Sequence, residues 1–164
     1  MEKEMLEMDD FSAYKKACYI IENEDVNQGF SMICEMAENG NVYAQKVLGD
    51  IYFYGDFGIS VDKKCASEWW RKAAEAGHPL AQGNLAACYY EGYGVEKNDE
   101  MAYRWYLKAA EQDDPLGLRM IGTMYIEGRY VERSKEKAIE WWKKAAYQKD
   151  EAAVVNLIKF GIMP

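Results

Sequence analysis

Histidine is nearly absent from this sequence of 164 residues, which contains only His78. A zinc site needs several histidine or cysteine ligands, so no metal or cofactor site is predicted. Cys88 is ten residues away, roughly 15 Å by helical rise, which is too far for a nucleophilic Cys–His pair. His78 lies in the segment Gly77-His78-Pro79 and is interpreted as a polar turn residue. No catalytic residue is predicted.

Closely spaced cysteines are also missing. The four cysteines, Cys18, Cys34, Cys65 and Cys88, form no Cys-x-x-Cys pair, and they do not recur at one position of the repeat described below. We therefore expect reduced, mostly buried thiols in a reducing compartment rather than a disulfide framework.

Long apolar runs are absent as well. No run approaches the ~18 apolar residues that span a bilayer. The segment 1–7 is acidic and lacks the basic start and apolar stretch of a secretory signal. The sequence therefore predicts a cytoplasmic protein without a membrane partner.

Positive charge is scarce relative to negative charge. The formal net charge is −8, and residues 1–50 hold 11 acidic but only 4 basic side chains. Nucleic acids and anionic lipids require clustered lysine and arginine, so neither is the predicted ligand. The acidic end would favour a basic partner, although a solvated polar face on a terminal unit is the simpler interpretation.

What the chain does contain is a repeat. The block Trp-aromatic-x-Lys-Ala-Ala begins at Trp69, Trp105 and Trp141, at a constant spacing of 36 residues. A period of this length is typical of stacked helical units, each of which buries its apolar face against its neighbours. We therefore predict an all-α fold.

Each unit contains two predicted helices. The first carries a stripe at i, i+4, i+5 and i+8, which places small and apolar side chains on one face. Its members are Ala44, Leu48, Gly49 and Tyr52, then Ala81, Leu85, Ala86 and Tyr89, then Gly117, Ile121, Gly122 and Tyr125. A glycine turn follows at Gly55, Gly92 and Gly128. The second helix is predicted to begin after an N-cap residue at Asp62, Asn98 and Ser134.

Weaker copies of the pattern flank the three units, which gives a count of nine helices. The predicted organisation is a single solenoid domain. It divides into a degenerate N-terminal capping repeat (1–40), repeat 1 (41–77), repeat 2 (78–113), repeat 3 (114–149) and a C-terminal capping helix (150–164).

The stripe, the glycine turn and the Ala-x-x-Trp-x-x-Lys-Ala-Ala block together resemble the Sel-1-like repeat family, a relative of the tetratricopeptide repeats. The resemblance implies a right-handed superhelix of antiparallel helix pairs. It also implies a role as adaptor or scaffold, with the first helices lining a concave inner surface. Departures from the pattern are an extra residue in the loop between Gly55 and Ala66, Tyr130 in place of a second loop glycine, and no regular register of cysteines.

If the first helices line that surface, a protein or peptide partner is predicted to contact the residues opposite the buried stripe. In repeat 1 these are Tyr43, Lys46, Asp50, Phe53 and Tyr54. In repeats 2 and 3 they are Leu80, Gly83, Asn84, Ala87, Tyr90, Glu91, Leu116, Arg119, Thr123, Ile126 and Glu127, and Lys159 continues the row. The alternative is that Phe53, Tyr90 and Ile126 only pack against the next unit.

The leading hypothesis is therefore a non-enzymatic interaction module, acting as adaptor, scaffold or neutralising partner of another protein. One alternative is a hydrolase of cell-wall-like amides, which only the activities of secreted relatives suggest. Another is a self-assembling scaffold, in which Val155, Ile158, Phe160 and Ile162 of the last helix join copies. The predicted state is a monomer or a weak homo-oligomer.

Overall fold

A computed structural model describes residues 10–23 and 25–162 of the chain, and within them it contains nine α-helices, one short 3₁₀ turn and no strand. The all-α prediction is confirmed, and the described residues form the nine helices that the sequence analysis counted. The helices are α1 (Asp10–Asn23), α2 (Val26–Glu38), α3 (Val42–Tyr54), α4 (Lys63–Glu75), α5 (Pro79–Glu91), α6 (Asp99–Ala110), α7 (Pro115–Glu127), α8 (Lys135–Tyr147) and α9 (Glu151–Lys159). The acidic segment 1–7 lies outside the described residues.

The chain forms two compact units, divided between His78 and Pro79. The first contains α1 to α4 and the second contains α5 to α9. Within each unit, every helix packs mainly against the helices that precede and follow it in sequence. Contacts between sequence neighbours are expected of a repeat protein.

Each first helix and its second helix are joined by the same turn. The glycine after the first helix has a left-handed backbone, with φ values of 77°, 83° and 69° at Gly55, Gly92 and Gly128. The three predicted N-cap side chains accept a hydrogen bond from a backbone N–H of the second helix. Their own backbone N–H groups donate to the carbonyls of Tyr52, Tyr89 and Tyr125, at 2.8, 2.9 and 3.0 Å. The predicted helix boundaries are therefore confirmed.

The third residue of each turn also has a left-handed backbone, although only one of the three is glycine. Gly94 has a φ of 69°, whereas Phe57 and Tyr130 have φ values of 57° and 61°. This conformation is uncommon for a bulky residue, because its Cβ crowds the carbonyl oxygen. The extra residue of the repeat 1 loop is accommodated by a 3₁₀ turn at Asp56–Gly58.

The first helices are capped as well, which the sequence analysis did not predict. Asn41, Asp114 and Asp150 precede α3, α7 and α9, and each side chain accepts the backbone N–H three residues further on, at 2.9, 2.8 and 2.7 Å. His78 stands at the corresponding place before α5. Repeat 2 therefore has an imidazole where the others have a carboxylate or an amide.

The second aromatic residue of each repeated block is a core residue. Trp70, Tyr106 and Trp142 are each 3% exposed or less. A methyl group added at Gly49 would lie 2.4 Å from Trp70 Cδ1, and one added at Gly122 would lie 2.7 Å from Trp142 Cδ1. In repeat 2 the smaller Tyr106 accompanies Ala86 at the equivalent position. The aromatic ring and the facing small residue are thus matched in size within each repeat.

The first aromatic residue lies at the edge of the core, beneath a lysine. Lys72, Lys108 and Lys144 place their ammonium groups 3.6, 4.1 and 4.4 Å from the ring centres of Trp69, Trp105 and Trp141. The three lysines are exposed, as predicted, and the contact is a cation–π interaction.

The prediction that the cysteines are mostly buried is wrong for three of them. Cys88 is buried, whereas Cys18, Cys34 and Cys65 are only partly buried, and none of the four forms a disulfide. Partial burial still raises the pKa of the Cys34 and Cys65 thiols above the usual value. Both thiols are therefore less reactive than an exposed cysteine.

Candidate interaction surface on the first helices

In the first unit, the predicted surface residues at the two ends of α3 are exposed. Tyr43 and Tyr54 are 40% and 67% exposed. The Tyr54 ring meets the Phe53 ring edge to face at 5.1 Å, and the Tyr43 ring meets His78 in the same way at 5.6 Å. Both tyrosines are held by a ring contact while presenting much of their surface to solvent, which suits an interface residue.

The middle of α3 is tied to the core. Lys46 Nζ lies 2.6 Å from Asp50 Oδ2, and Asp50 Oδ1 accepts the indole N–H of Trp70 at 3.0 Å. The Trp70 indole also donates to the Lys46 carbonyl at 3.1 Å, and the Phe53 ring packs 5.1 Å from the indole. Lys46, Asp50 and Phe53 therefore hold the tryptophan in place and are only partly exposed.

In the second unit, α5 presents its outward residues unequally. Leu80 is 49% exposed and Glu91 is exposed, while Asn84 and Ala87 are partly exposed. Gly83 is covered, because a methyl group added there would lie 3.2 Å from both Leu116 Cδ2 and Asp114 Oδ2. Leu116 itself is partly buried.

Tyr90 was predicted as a site residue, but its side chain is buried by contacts within the fold. It is 6% exposed, and its hydroxyl donates a hydrogen bond to Glu127. The Arg129 guanidinium lies 3.5 Å from its ring centre and donates to its carbonyl at 2.9 Å. Arg129 also forms an ion pair with Asp99, through Nε at 3.0 Å and through Nη2. These contacts connect the loop that follows α7 to the end of α5 and the start of α6.

The electrostatics of this network follow from burial and charge pairing. Burial raises the pKa of Tyr90 to about 12, and the hydrogen bond to Glu127 adds to that shift. The Arg129 hydrogen bond lowers the pKa of Asp99. Tyr90 is therefore a neutral donor and Asp99 a carboxylate near neutral pH, an arrangement that stabilises the loops.

On α7, Arg119 and Thr123 have partners within their own unit. Arg119 Nε lies 3.2 Å from Asp150 Oδ2, and its carbonyl accepts the Trp142 indole N–H at 3.1 Å. The Thr123 hydroxyl donates to the same carbonyl at 3.1 Å. Ile126 packs against the apolar cluster around Trp142, whereas Glu127 and, on α9, Lys159 are exposed.

The structure thus divides the predicted set into two groups. The exposed members are Tyr43, Tyr54, Leu80, Glu91, Glu127 and Lys159. Arg129, Asp99 and Asp150, which the sequence analysis did not select, hold several of the others in place. The sequence offers little sign of this, because Tyr90 and Arg129 are 39 residues apart and belong to different repeats.

No group of three or more metal-ligating side chains is present in the part of the chain that the structure describes. None of the described helices combines the length and the hydropathy that a bilayer span requires. A groove of about 460 Å³ runs along the second helix α6, lined by residues that include Met101, Trp105 and Lys108.

Solved structures with the same fold cover most of the chain. A protective antigen present in uropathogenic Escherichia coli strains, which displays an SLR fold, has a TM-score of 0.87 and 29% identity, over 98% of this chain and 36% of the antigen. A Sel1 repeat protein from Oxalobacter formigenes has a TM-score of 0.83 and 27% identity, over 95% of this chain and 67% of that protein. This chain therefore spans about a third of the length of the antigen.

Helicobacter pylori cysteine rich protein B shares the fold alone, with 21% identity and a TM-score of 0.58 over 88% of this chain and 96% of that protein. A sequence profile of the Sel1 repeat matches residues 42–78, 79–114 and 115–150, which is well over half of the chain. The antiparallel helix pairs, the repeated turn and these matches lead to one conclusion. The chain belongs to the Sel1 repeat family of helical solenoid proteins, which generally serve as protein-interaction modules.

Proposed function

We propose that this protein is a non-enzymatic interaction module that binds a protein or peptide through the outward residues of its first helices. It would act as an adaptor, a scaffold or a neutralising partner. Sel1 repeat proteins are typically non-enzymatic interaction scaffolds, and the proposal follows that class.

One observation carries the proposal: the core position facing the aromatic ring stays small in all three repeats, whereas an exposed position on the first helices changes from tyrosine in repeat 1 to glutamate in repeats 2 and 3. The residue facing the core aromatic is always small, as at Gly49, Ala86 and Gly122. In contrast, the outward position near the end of the first helix holds Tyr54, Glu91 and Glu127 in successive repeats. Packing constrains the first set, and variation of the second set allows recognition of one partner.

The exposed side chains also suggest the character of the partner. Tyr43, Tyr54 and Leu80 supply apolar area, and Glu91 and Glu127 supply negative charge at the ends of α5 and α7. With a net charge of −8, the protein would attract a basic segment and accelerate its association. Association with such a partner would slow as ionic strength rises.

The decisive experiment compares exposed residues on first helices with one on a second helix. Tyr54→Ala and Leu80→Ala remove exposed side chains of α3 and α5, whereas Tyr147→Ala removes an 87% exposed tyrosine at the end of α8. Affinity capture with quantitative mass spectrometry identifies the partner. Calorimetric titration with the purified partner then measures the affinity of each variant. We expect at least one of the first-helix variants to weaken binding about tenfold or more, and Tyr147→Ala to have no effect.

Two results would count against the proposal. Unchanged affinity in both first-helix variants would exclude this surface. Loss of affinity in Arg104→Ala, at an exposed position of α6, without loss in the first-helix variants would move the site to the groove on the second helix. Tyr90 and Arg119 are unsuitable for this test, because their bonds to Glu127 and Asp150 support the fold.

A further inference from the structure

The outer face of α9 is a continuous exposed stripe. The exposed residues of this helix are Glu151, Ala152, Val155, Ile158 and Lys159, at positions i, i+1, i+4, i+7 and i+8, which lie on one side of a helix. The opposite side, with Ala153 and Leu157, is buried in the apolar cluster around Trp142.

The apolar part of this stripe is smaller than the sequence analysis expected. Val155 and Ile158 are 49% and 56% exposed. Phe160 and Ile162, which the same hypothesis included, instead pack against the core of their own unit. The Phe160 ring lies 5.4 Å from the Trp142 ring, and Lys135 covers it at 5.3 Å.

The side chain of Ile158 restricts which kind of helix can pack on α9. In the repeat alignment it occupies the position of Gly49, Ala86 and Gly122, where a small residue faces the large aromatic ring of a second helix. A methyl group alone would already come within 2.4 to 2.7 Å of the ring at the two glycines. An isoleucine side chain therefore prevents α9 from receiving a tryptophan-bearing helix in the way that α3 and α7 do.

The two charged residues of the stripe have opposite signs and lie at equal distances from its centre. Glu151 lies four residues before Val155, and Lys159 lies four residues after it. A second α9 that runs antiparallel and is centred on Val155 would bring each glutamate next to the lysine of the other copy. Ala152 of each copy would then face Ile158 of the other. A two-fold contact of this kind is self-complementary, whereas a parallel contact would place like charges together.

We propose that the α9 stripe binds the α9 stripe of a second copy of this chain, antiparallel and centred on Val155. A second copy is the favoured partner because this charge pattern is complementary to itself. A neutral or uniformly charged helix would not match it. A nine-residue helix is only about 13 Å long, so the contact belongs to the small and weak class of interfaces. The dimer therefore forms at high protein concentration.

Charge variants test this arrangement directly. Glu151→Lys gives a stripe with two lysines, and Lys159→Glu gives a stripe with two glutamates. Each variant alone should dimerise about tenfold more weakly than the wild type, because both ion pairs become repulsive. An equimolar mixture of the two variants should recover the wild-type association, because both pairs are again of opposite charge. Sedimentation equilibrium across a range of concentrations measures the dimer dissociation constant of the wild type, of each variant and of the mixture.

The controls separate the stripe from general charge effects. Glu140→Lys and Lys143→Glu make the same charge changes at exposed positions of α8 and should leave association unchanged. Val155→Asp, at an exposed position, should abolish association while circular dichroism reports an unchanged fold. A wild type that stays monomeric at every concentration would overturn the proposal. So would variants that associate like the wild type, or a mixture that associates no better than its components.

Discussion

At the scale of single residues, His78 departs from the pattern of the other first-helix caps. Asn41, Asp114 and Asp150 each accept a backbone N–H of the helix that follows. His78 instead has a buried Nδ1 without a hydrogen-bond partner, next to the Tyr43 ring. Burial lowers the pKa of His78 below 6.5, and nearby Lys46 lowers it further, against a smaller opposing effect of Asp50. Protonation of this imidazole at the N-terminus of α5 would also oppose the helix dipole.

We therefore predict that His78→Asn raises the free energy of unfolding at pH 7 by about 1 kcal/mol, because it supplies the cap that repeat 1 has in Asn41. The wild-type protein should lose stability as the pH falls below 6.5, since the unfolded chain then binds a proton that the folded chain resists. His78→Asn should reduce this loss. Urea unfolding at pH 7 and 5.5 measures both effects. An NMR titration that places the pKa of His78 above 6.5 would contradict the argument.

At the scale of helices, the fit between a small residue and an aromatic ring determines how closely each pair packs. Gly49 approaches Trp70, and Gly122 approaches Trp142, within a distance that leaves no space for a methyl group. In repeat 2 the corresponding residues are Ala86 and Tyr106, in which the larger small residue accompanies the smaller aromatic ring. The repeats therefore use two combinations, glycine with tryptophan and alanine with tyrosine. Replacing only one member of a combination should be destabilising, whereas replacing both together should be tolerated better.

Gly49→Ala is predicted to lower the free energy of unfolding by about 1–3 kcal/mol, because its methyl group would lie 2.4 Å from Trp70 Cδ1. Adding Trp70→Tyr recreates the pair of repeat 2. The double variant should be less destabilised than the sum of the two single variants, as chemical denaturation can show. Gly83→Ala is the control, with a closest contact of 3.2 Å that includes the flexible Leu116 side chain. Strictly additive costs would mean that the two positions do not constrain each other.

At the scale of the whole molecule, the stability of a repeat protein is approximately a sum of unit and neighbour terms. Trp105, in the central block, is 8% exposed. Trp105→Ala should cost roughly 3–5 kcal/mol, which is a large part of the ~5–15 kcal/mol that stabilises a typical domain. We expect a strongly lowered or lost melting transition by calorimetry, with Tyr147→Ala as the exposed aromatic control. Near-wild-type melting of Trp105→Ala would refute its structural role.

Much of the fold could be predicted because its determinants are local. The 36-residue period, the glycines after the first helices and the N-caps at Asp62, Asn98 and Ser134 each act within a few residues, and each is confirmed. The caps Asp114 and Asp150 were missed although they are equally local. They became recognisable only when the starts of α7 and α9 were known.

The candidate site was less predictable, because exposure depends on partners that are distant in sequence. Tyr90 has the spacing of an outward residue, yet Glu127 and Arg129, 37 and 39 residues later, bury it. Phe160 and Ile162 read as exposed apolar residues and pack instead beside Trp142. The sequence by itself determined the repeat, its helices and its core, since these follow from periodicity and capping. Only the tertiary structure decided which side chains remain available to a partner, because that depends on contacts between repeats.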